Sequence, residues 1–283
     1  MNRLLLYLFI HISAIGATQN NTLCYEISHP SKSKHNSYLF GTMHVMDADH
    51  FFFPKKITKL LKKTEVLCIE IKDLGNKSLD ANQLFDSNKL LNENCSSSQW
   101  DRLTTWAEKT LLMNAEQFEA NFNHAKPFLV LQFIMSASLP AVHKSHEIEL
   151  EKLAHLNEIQ VLQLESVEAQ LQLFDTIPYK GQMDMIFNEL KNNKTGKEDF
   201  EKMQNTYSKQ SLDSLCLLTD DKLFEAYRDV FLDDRNMKWI PKMETMMKDQ
   251  KVFFAFGAAH LCGSNGILNL LLAQGYQITP IKL

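Results

Sequence analysis

Apolar runs of strand length occur toward both ends of the chain, and a pattern typical of a helix closely follows several of them. The runs lie at 23–27, 37–40, 66–71, 159–164, 252–256 and 276–281. A strand, a helix and a second strand in sequence favour parallel pairing, with the helix packed on the sheet. The order therefore predicts an α/β fold, with a mostly parallel sheet assembled from N-terminal and C-terminal segments.

Three of the predicted helices have recognisable starts or ends. Pro54 precedes a lysine-rich helix, at a position where its missing N–H costs no hydrogen bond. Ser166 is expected to cap the helix that follows it. Asn265 or Ser264 is expected to cap a further helix, which ends at Gly275.

The middle of the chain has a helical pattern, from about 84 to 140 and again from about 178 to 249. No linker rich in proline or glycine and no repeat of solenoid period divides the sequence. We therefore predict a single α/β domain over 18–283 with a large helical insertion. The insertion is expected to act as a cap over a site.

The first residues differ from the rest of the chain. Arg3 precedes a short apolar run, and small residues follow at positions 14, 16 and 17. This order is typical of a secretory signal peptide, which we place at 1–17 and which predicts export to the periplasm or the medium. The alternative is a buried N-terminal helix. No other stretch approaches the length of a bilayer span, so no membrane span is expected in the mature chain.

The composition excludes several classes of protein. Hydrophobic residues make up 45% and charged residues 23% of the 283 positions, as in ordinary globular domains. Acidic residues outnumber basic ones by 34 to 30, and a net charge of −4 provides no general field for nucleic acid. We therefore expect no nucleic-acid partner. The five cysteines match neither a zinc ribbon nor a dense disulfide scaffold, and we interpret them as incidental.

One short motif occurs twice, each time at the end of a predicted strand. Gly41 is followed by His44 three positions later, and Gly257 is followed by His260 in the same way. Ligands of an open parallel sheet bind beyond the carboxyl ends of its strands. Two histidines from two such ends can converge as metal ligands or as an acid and a base. The alternative is that they are unrelated loop histidines.

Two glutamates occupy comparable positions. Glu70 ends an apolar run in which a charge is costly unless it is paired, and Glu165 ends another run just before a helix. For Glu165, a carboxylate that simply favours the helix start is the alternative interpretation. Two histidines and two glutamates at four strand ends suit a hard metal ion or zinc.

The sequence resembles the TraB/GumN family, to which the Tiki metalloproteases of animals are related. The segments that carry the resemblance are SYLFGTMHV at 37–45, LESVEAQ at 164–170, DRN at 234–236, GAAHL at 257–261 and the ending at 266–281. The resemblance extends over most of the mature chain, and the paired Gly-x-x-His motifs are its most specific part. Cys262 departs from the small or apolar residues that are common at its position.

The resemblance implies an α/β fold and metal-dependent hydrolysis, with peptidase activity described for the Tiki branch. Carried over by position, it implies His44, Glu70, Glu165, Arg235 and His260 as site residues. His44, His260 and Glu70 are then the expected ligands of a divalent metal ion, with manganese, cobalt and zinc as candidates. Glu165, Glu70 and Arg235 are the expected catalytic residues. The spacing does not assign ligand and base separately, although Glu165 is favoured as the base.

Two further groups have a surface interpretation beside a functional one. Arg235 lies next to aspartates, where an arginine usually forms a solvated ion pair, whereas the resemblance favours an orienting or anion-binding role. His143, His146, Glu147 and Glu149 resemble a ligand cluster, but their place between a loop and a helix predicts a surface position. Glu147 is the exception, since the family often has an acidic residue near the site there.

The sequence thus leads to one main functional hypothesis and two alternatives. The main one is an exported metal-dependent hydrolase, peptidase-like, with a peptide or protein as its substrate. The first alternative is a protein that binds a metal, a metal-bearing cofactor or a peptide without turnover. The second is a metal-free, esterase-like hydrolase with a histidine base.

Overall fold

The computed structural model describes residues 22–73, 81–192, 196–218 and 226–283. The predicted signal peptide at 1–17 lies outside the described residues. No helix within these ranges is both long enough and apolar enough to cross a membrane.

The described strands form a six-stranded sheet with the order β6-β4-β7-β2-β1-β8 and a separate two-stranded ribbon of β3 and β5. Neighbours from β6 to β2 are parallel, whereas β1 is antiparallel to both β2 and β8. This confirms the predicted α/β fold with a mostly parallel sheet built from both ends of the chain. The strands are β1 Cys24–Ser28, β2 Ser37–Thr42, β3 Met46–Asp47, β4 Val66–Ile69, β5 His143–Lys144, β6 Gln160–Gln163, β7 Val252–Gly257 and β8 Gln277–Pro280.

The two central strands determine where the rest of the fold lies. Every residue of β2 and of β7 is buried, as expected for parallel strands covered on both faces. Their register pairs Phe40 with Ala255 and Thr42 with Gly257, so both strands end at the same edge of the sheet. The residues that follow them are therefore delivered side by side.

The helices carry the remainder of the chain. They are α1 Lys55–Leu61, α2 Ala81–Leu84, α3 Ser97–Leu111, α4 Ala115–Phe122, α5 Pro127–Ser136, α6 His146–Leu156, α7 Val167–Asp175, α8 Tyr179–Asn192, α9 Gly196–Ser208, α10 Leu212–Leu218, α11 Asp234–Met247 and α12 Ile267–Ala273. A π-helical turn, Asp229–Asp233, leads into α11, and a 3₁₀ turn, Ala258–Leu261, follows β7.

The helical middle of the chain contributes to two hydrophobic cores rather than one. Helices α3, α4, α5 and α8 enclose a core of their own, with Leu103, Phe118, Ile134 and Ile186 at its centre. Helices α6, α9, α10 and α11 pack instead onto the sheet. Only part of the predicted insertion is therefore separate from the sheet.

The helix ends agree with the sequence prediction at three of four places. Pro54 lies directly before α1, as predicted. The Ser166 hydroxyl accepts a hydrogen bond from the Ala169 N–H at 3.1 Å and caps α7 as predicted. Gly275, just past α12, has a φ of +88°, which favours glycine. The predicted cap of α12 at Asn265 or Ser264 was wrong. Gly266 occupies that position because a Cβ there would lie 2.5 Å from the Leu261 carbonyl oxygen.

Two of the five cysteines form a disulfide, Cys216–Cys262. Cys24 and Cys68 are buried and unpaired, and Cys95 is half-buried. The bond ties α10 to the chain two residues beyond His260. The interpretation of all five cysteines as incidental was therefore wrong for this pair, whose 46-residue separation gave no sign of proximity.

Candidate active site

The carboxyl edge of the sheet brings the five predicted site residues together. His44 follows β2, Glu70 follows β4, Glu165 follows β6 and His260 lies in the turn after β7, while Arg235 comes from α11. The Nε2 atoms of His44 and His260 lie 3.6 and 3.7 Å from the Oε1 atom of Glu70. Arg235 contacts both glutamates. One carboxylate therefore lies at the centre of the cluster.

Glu70 is 6% exposed and its oxygens are well supplied with donors. Oε1 accepts a hydrogen bond from the Gly257 N–H at 2.8 Å, and Oε2 accepts from Arg235 Nη2 at 2.7 Å and Gln170 Nε2 at 3.2 Å. Burial alone would raise the pKa of Glu70. The positive charges of His44 and Arg235 and the Gly257 N–H outweigh burial and hold that pKa well below its usual range.

Arg235 is buried, which excludes the alternative of a solvated surface ion pair. Its Nε donates to both oxygens of Glu165, at 3.1 and 3.2 Å. Its Nη1 donates to the Phe231 carbonyl at 2.8 Å and lies 3.1 Å from His260 Nε2. The guanidinium also lies 4.9 Å from the ring centroid of Trp239. These contacts fix the guanidinium plane between the two glutamates.

His260 is held as a neutral ring with one tautomer. Asn236 donates from Nδ2 to the Asn265 carbonyl at 2.8 Å, so its Oδ1 accepts from His260 Nδ1 at 2.6 Å. The Nε2 lone pair of the ring then faces Arg235. Burial, opposed by the attraction of Glu70 and reinforced by Arg235, lowers the pKa of His260 to about 3.

His44 differs from His260 in exposure and in charge, since its side chain is 59% exposed. Its Nδ1 donates to Glu147 Oε1 at 2.8 Å, and Glu147 also accepts from the hydroxyls of Thr42 and Ser145. The Glu147 carboxylate, with a smaller contribution from Glu70, raises the pKa of His44, and solvent at the exposed ring moderates this attraction. Burial raises the pKa of Glu147, but His44 outweighs it and the pKa falls to about 2.

The surface prediction for the residues that follow Pro140 was wrong for His146, which is completely buried. His143 is exposed as predicted. Glu147 contacts His44, as expected of the one residue in this group that the resemblance places near the site. The His146 ring nitrogens lie 2.9 Å from the Met43 carbonyl and 2.8 Å from the Phe52 carbonyl. Burial lowers the pKa of His146. This ring therefore supports the loop that carries His44.

Glu165 is fixed by two donors at the entrance of the cluster. Besides Arg235, the indole Nε1 of Trp239 donates to its Oε1 at 2.7 Å. The sequence interpretation did not single out Trp239 or the contacts of Gln170. Trp239 lies four positions after Arg235 on α11, so helical spacing places both on one face and could have indicated it. Gln170 lies within the segment 164–170, five residues after Glu165.

Comparison with known families identifies the family of the chain. The sequence profile of the TraB/PrgY/gumN family matches residues 23–280. The chain belongs to the TraB/PrgY/gumN family. Comparison with curated proteins and with solved structures found no match. The family match thus covers nearly the whole chain, including all five predicted site residues.

The donor atoms of this TraB/PrgY/gumN protein fit a divalent cation in their chemistry. Metal-binding histidines usually have their second ring nitrogen held by a carboxylate or a carbonyl oxygen, as Glu147 and Asn236 hold His44 and His260. Both Nε2 atoms then face the carboxylate of Glu70. Because a histidine binds a metal ion only as the neutral ring, a cation would have to displace the proton that the raised pKa of His44 favours. Arg235 competes with a cation for the same position, because its Nη1 donates a hydrogen bond to the Nε2 lone pair of His260. A bound cation would have to replace that hydrogen bond.

A second group of possible ligands lies away from this edge. Within the ranges that the structure describes, Asp73, Glu151 and His155 have ligand atoms that all lie within 4.8 Å of one another. Asp73 and His155 are exposed, as such groups often are without an ion. We assign no role to them.

His260 is expected to make the folded protein less stable in acid. The unfolded chain takes up a proton on this ring near pH 6.5, whereas the folded protein excludes that proton down to about pH 3. The stability contribution of the neutral ring is complete above pH 6.5 and falls by about 1.4 kcal/mol per pH unit below it. The loss between pH 7.5 and pH 5 is about 2 kcal/mol.

Urea unfolding of chelator-treated protein at several pH values measures this loss. His260→Gln is the matched control, because glutamine is neutral and does not titrate while every other group remains. The difference in unfolding free energy between wild type and variant is expected to shrink by about 2 kcal/mol from pH 7.5 to pH 5. A difference that stays constant with pH would contradict the neutral buried ring.

Proposed function

We propose that the protein is an exported metal-dependent hydrolase that cleaves peptides. The observation that carries this proposal is the convergence of both Gly-x-x-His motifs on Glu70 at the carboxyl edge of the sheet. An open parallel sheet binds its ligands at this edge. Membership of the TraB/PrgY/gumN family is consistent with the proposal, and the peptidase activity of the related Tiki branch favours a peptide substrate.

The residues divide into those that hold a metal ion and those that act on the substrate. His44 Nε2, His260 Nε2 and a Glu70 oxygen would hold a divalent ion, for which manganese, cobalt and zinc are candidates. Such an ion lowers the pKa of bound water and polarises a carbonyl group. The protein itself supplies Glu165 as general base and Arg235 as a fixed positive charge for the oxyanion.

A metal-free hydrolase is the second candidate, and the His44–Glu147 contact favours it. A histidine oriented by a carboxylate is the usual arrangement of a catalytic acid or base. The raised pKa of His44 suits an acid better than a base at neutral pH. Turnover that is indifferent to a chelator would favour this candidate, and bound metal without turnover would favour a binding protein.

Replacing either proposed histidine ligand should reduce metal content and activity together. Loss of one directly coordinating side chain weakens metal retention, commonly by 10-fold or more. We expect His44→Ala and His260→Ala to lose bound metal after dialysis, measured by elemental analysis, and to lose peptidase activity in parallel. His143→Ala is the control, because His143 is exposed and outside the cluster. Full metal content in both site variants would refute the ligand assignment.

Replacing Glu165 should separate catalysis from metal binding. Glu165→Gln keeps the shape of the side chain and its carbonyl oxygen, so Trp239 and Arg235 still have an acceptor. We expect metal content to remain and kcat to fall by about 10² to 10⁴, the usual contribution of acid–base catalysis. The readouts are steady-state kinetics and elemental analysis on the same sample. Chelator-sensitive turnover at the wild-type rate would exclude Glu165 as the base.

Export is part of the proposal and has its own support. The Cys216–Cys262 disulfide suits an oxidising compartment, and the first 17 residues have the pattern of a signal peptide. Mass spectrometry of the protein from its native host is expected to find a new N-terminus between about residues 16 and 20. Soluble cytosolic protein that retains Met1 would contradict export.

A further inference from the structure

A cleft of about 600 Å³ opens directly beside Glu165 and Arg235. Helix α7 forms one wall and helix α11 forms the other, and residues 163–166 line it where β6 leads into α7. Its volume lies within the range of pockets that bind small molecules or short peptides. The cleft is therefore continuous with the candidate active site.

The two walls of the cleft differ in charge. Lys238 and Lys242 lie three and seven positions after Arg235 on α11, so the three side chains share one face of the helix. All three line the cleft. The residues on the α7 side that line it are uncharged: Ala169, Gln172 and Leu173 of α7, and Thr176 directly after that helix. Glu165 is the acidic residue of the lining, and Arg235 already pairs with it. The cleft thus keeps a local positive charge although the chain has a net charge of −4.

Lys238 is the basic residue of this wall whose charge remains available. Arg235 is fixed between two glutamates, and Lys242 Nζ donates to the Leu164 carbonyl. Lys238 is exposed, and no side chain in the described ranges forms an ion pair with it. An exposed lysine at the mouth of a cleft can pair with a ligand anion without first breaking a contact within the protein.

We propose that this cleft binds a carboxylate of the substrate and that Lys238 selects for it. The inference rests on the proposed peptidase function and names its substrate class: peptides with a carboxylate near the cleaved bond. That carboxylate is either an acidic side chain or the free C-terminus. The neutral α7 wall accommodates the rest of the peptide, while Glu165 and Arg235 lie next to the bond that is cleaved.

Charge reversal at Lys238 tests the inference. The probes are pools of fluorescently labelled hexapeptides that differ only in Glu against Gln, or in a C-terminal carboxylate against an amide. Binding is measured by fluorescence anisotropy and cleavage by mass spectrometry. Lys248→Glu is the matched control. It makes the same charge change, but Lys248 lies just past the end of α11 and does not line the cleft. Thermal unfolding checks that both variants are folded.

Wild-type protein is expected to bind acidic pools more tightly than neutral ones, and Lys238→Glu to lose about tenfold of that preference. Lys248→Glu should retain the preference. The Glu/Gln and carboxylate/amide arms identify which carboxylate is bound. An unchanged preference in Lys238→Glu, or no preference in wild type, would overturn the inference. Preferential binding without any cleavage would support the cleft and contradict the proposed peptidase function.

Discussion

The carboxylate of Glu70 is the constraint on which the rest of the site depends. A buried charge without a partner costs several kcal/mol, so the fold must bring cationic groups and N–H donors to it. Arg235 from α11 and the Gly257 N–H from β7 meet this requirement, and both histidines lie within 4 Å of it. The position of α11 against the sheet and the register of β4 with β7 are therefore linked through one side chain.

Much of the fold could be predicted because its strands are short apolar runs between polar positions. All six strands of the main sheet lie where those runs occur, with ends that differ by at most two residues. The antiparallel place of β1 could not be predicted, since local pattern does not determine which strands become neighbours. The start of α12 at Gly266 could not be predicted either. A side chain is excluded there by the Leu261 carbonyl of the preceding turn, and the local pattern does not show this contact.

The site divides in the same way between local signals and long-range contacts. Gly-x-x-His at strand ends and Glu70 in an apolar run are local signals, and the structure brings these residues together. The burial of Arg235 and His146 could not be read from their polar neighbours, because the glutamates that pair with Arg235 and the aromatic rings around His146 come from distant parts of the chain. Nor does a 46-residue spacing reveal that Cys216 meets Cys262. The burial of a polar residue can be predicted only when the residues that pair with it can be predicted as well.

The pairing of β2 with β7 also has a consequence for the stage of synthesis at which the candidate site can be completed. His44 and His260 are 216 positions apart (260 − 44), yet their strands are direct neighbours. Pairing over such a separation forms late in folding, since the intervening chain must first become ordered. A nascent chain that ends just before β7 already contains His44, Glu70, Glu165 and Arg235, but it lacks His260 and the Gly257 N–H that donates to Glu70. The topology thus makes completion of the candidate site depend on β7, one of the last two strands of the sheet to be synthesised.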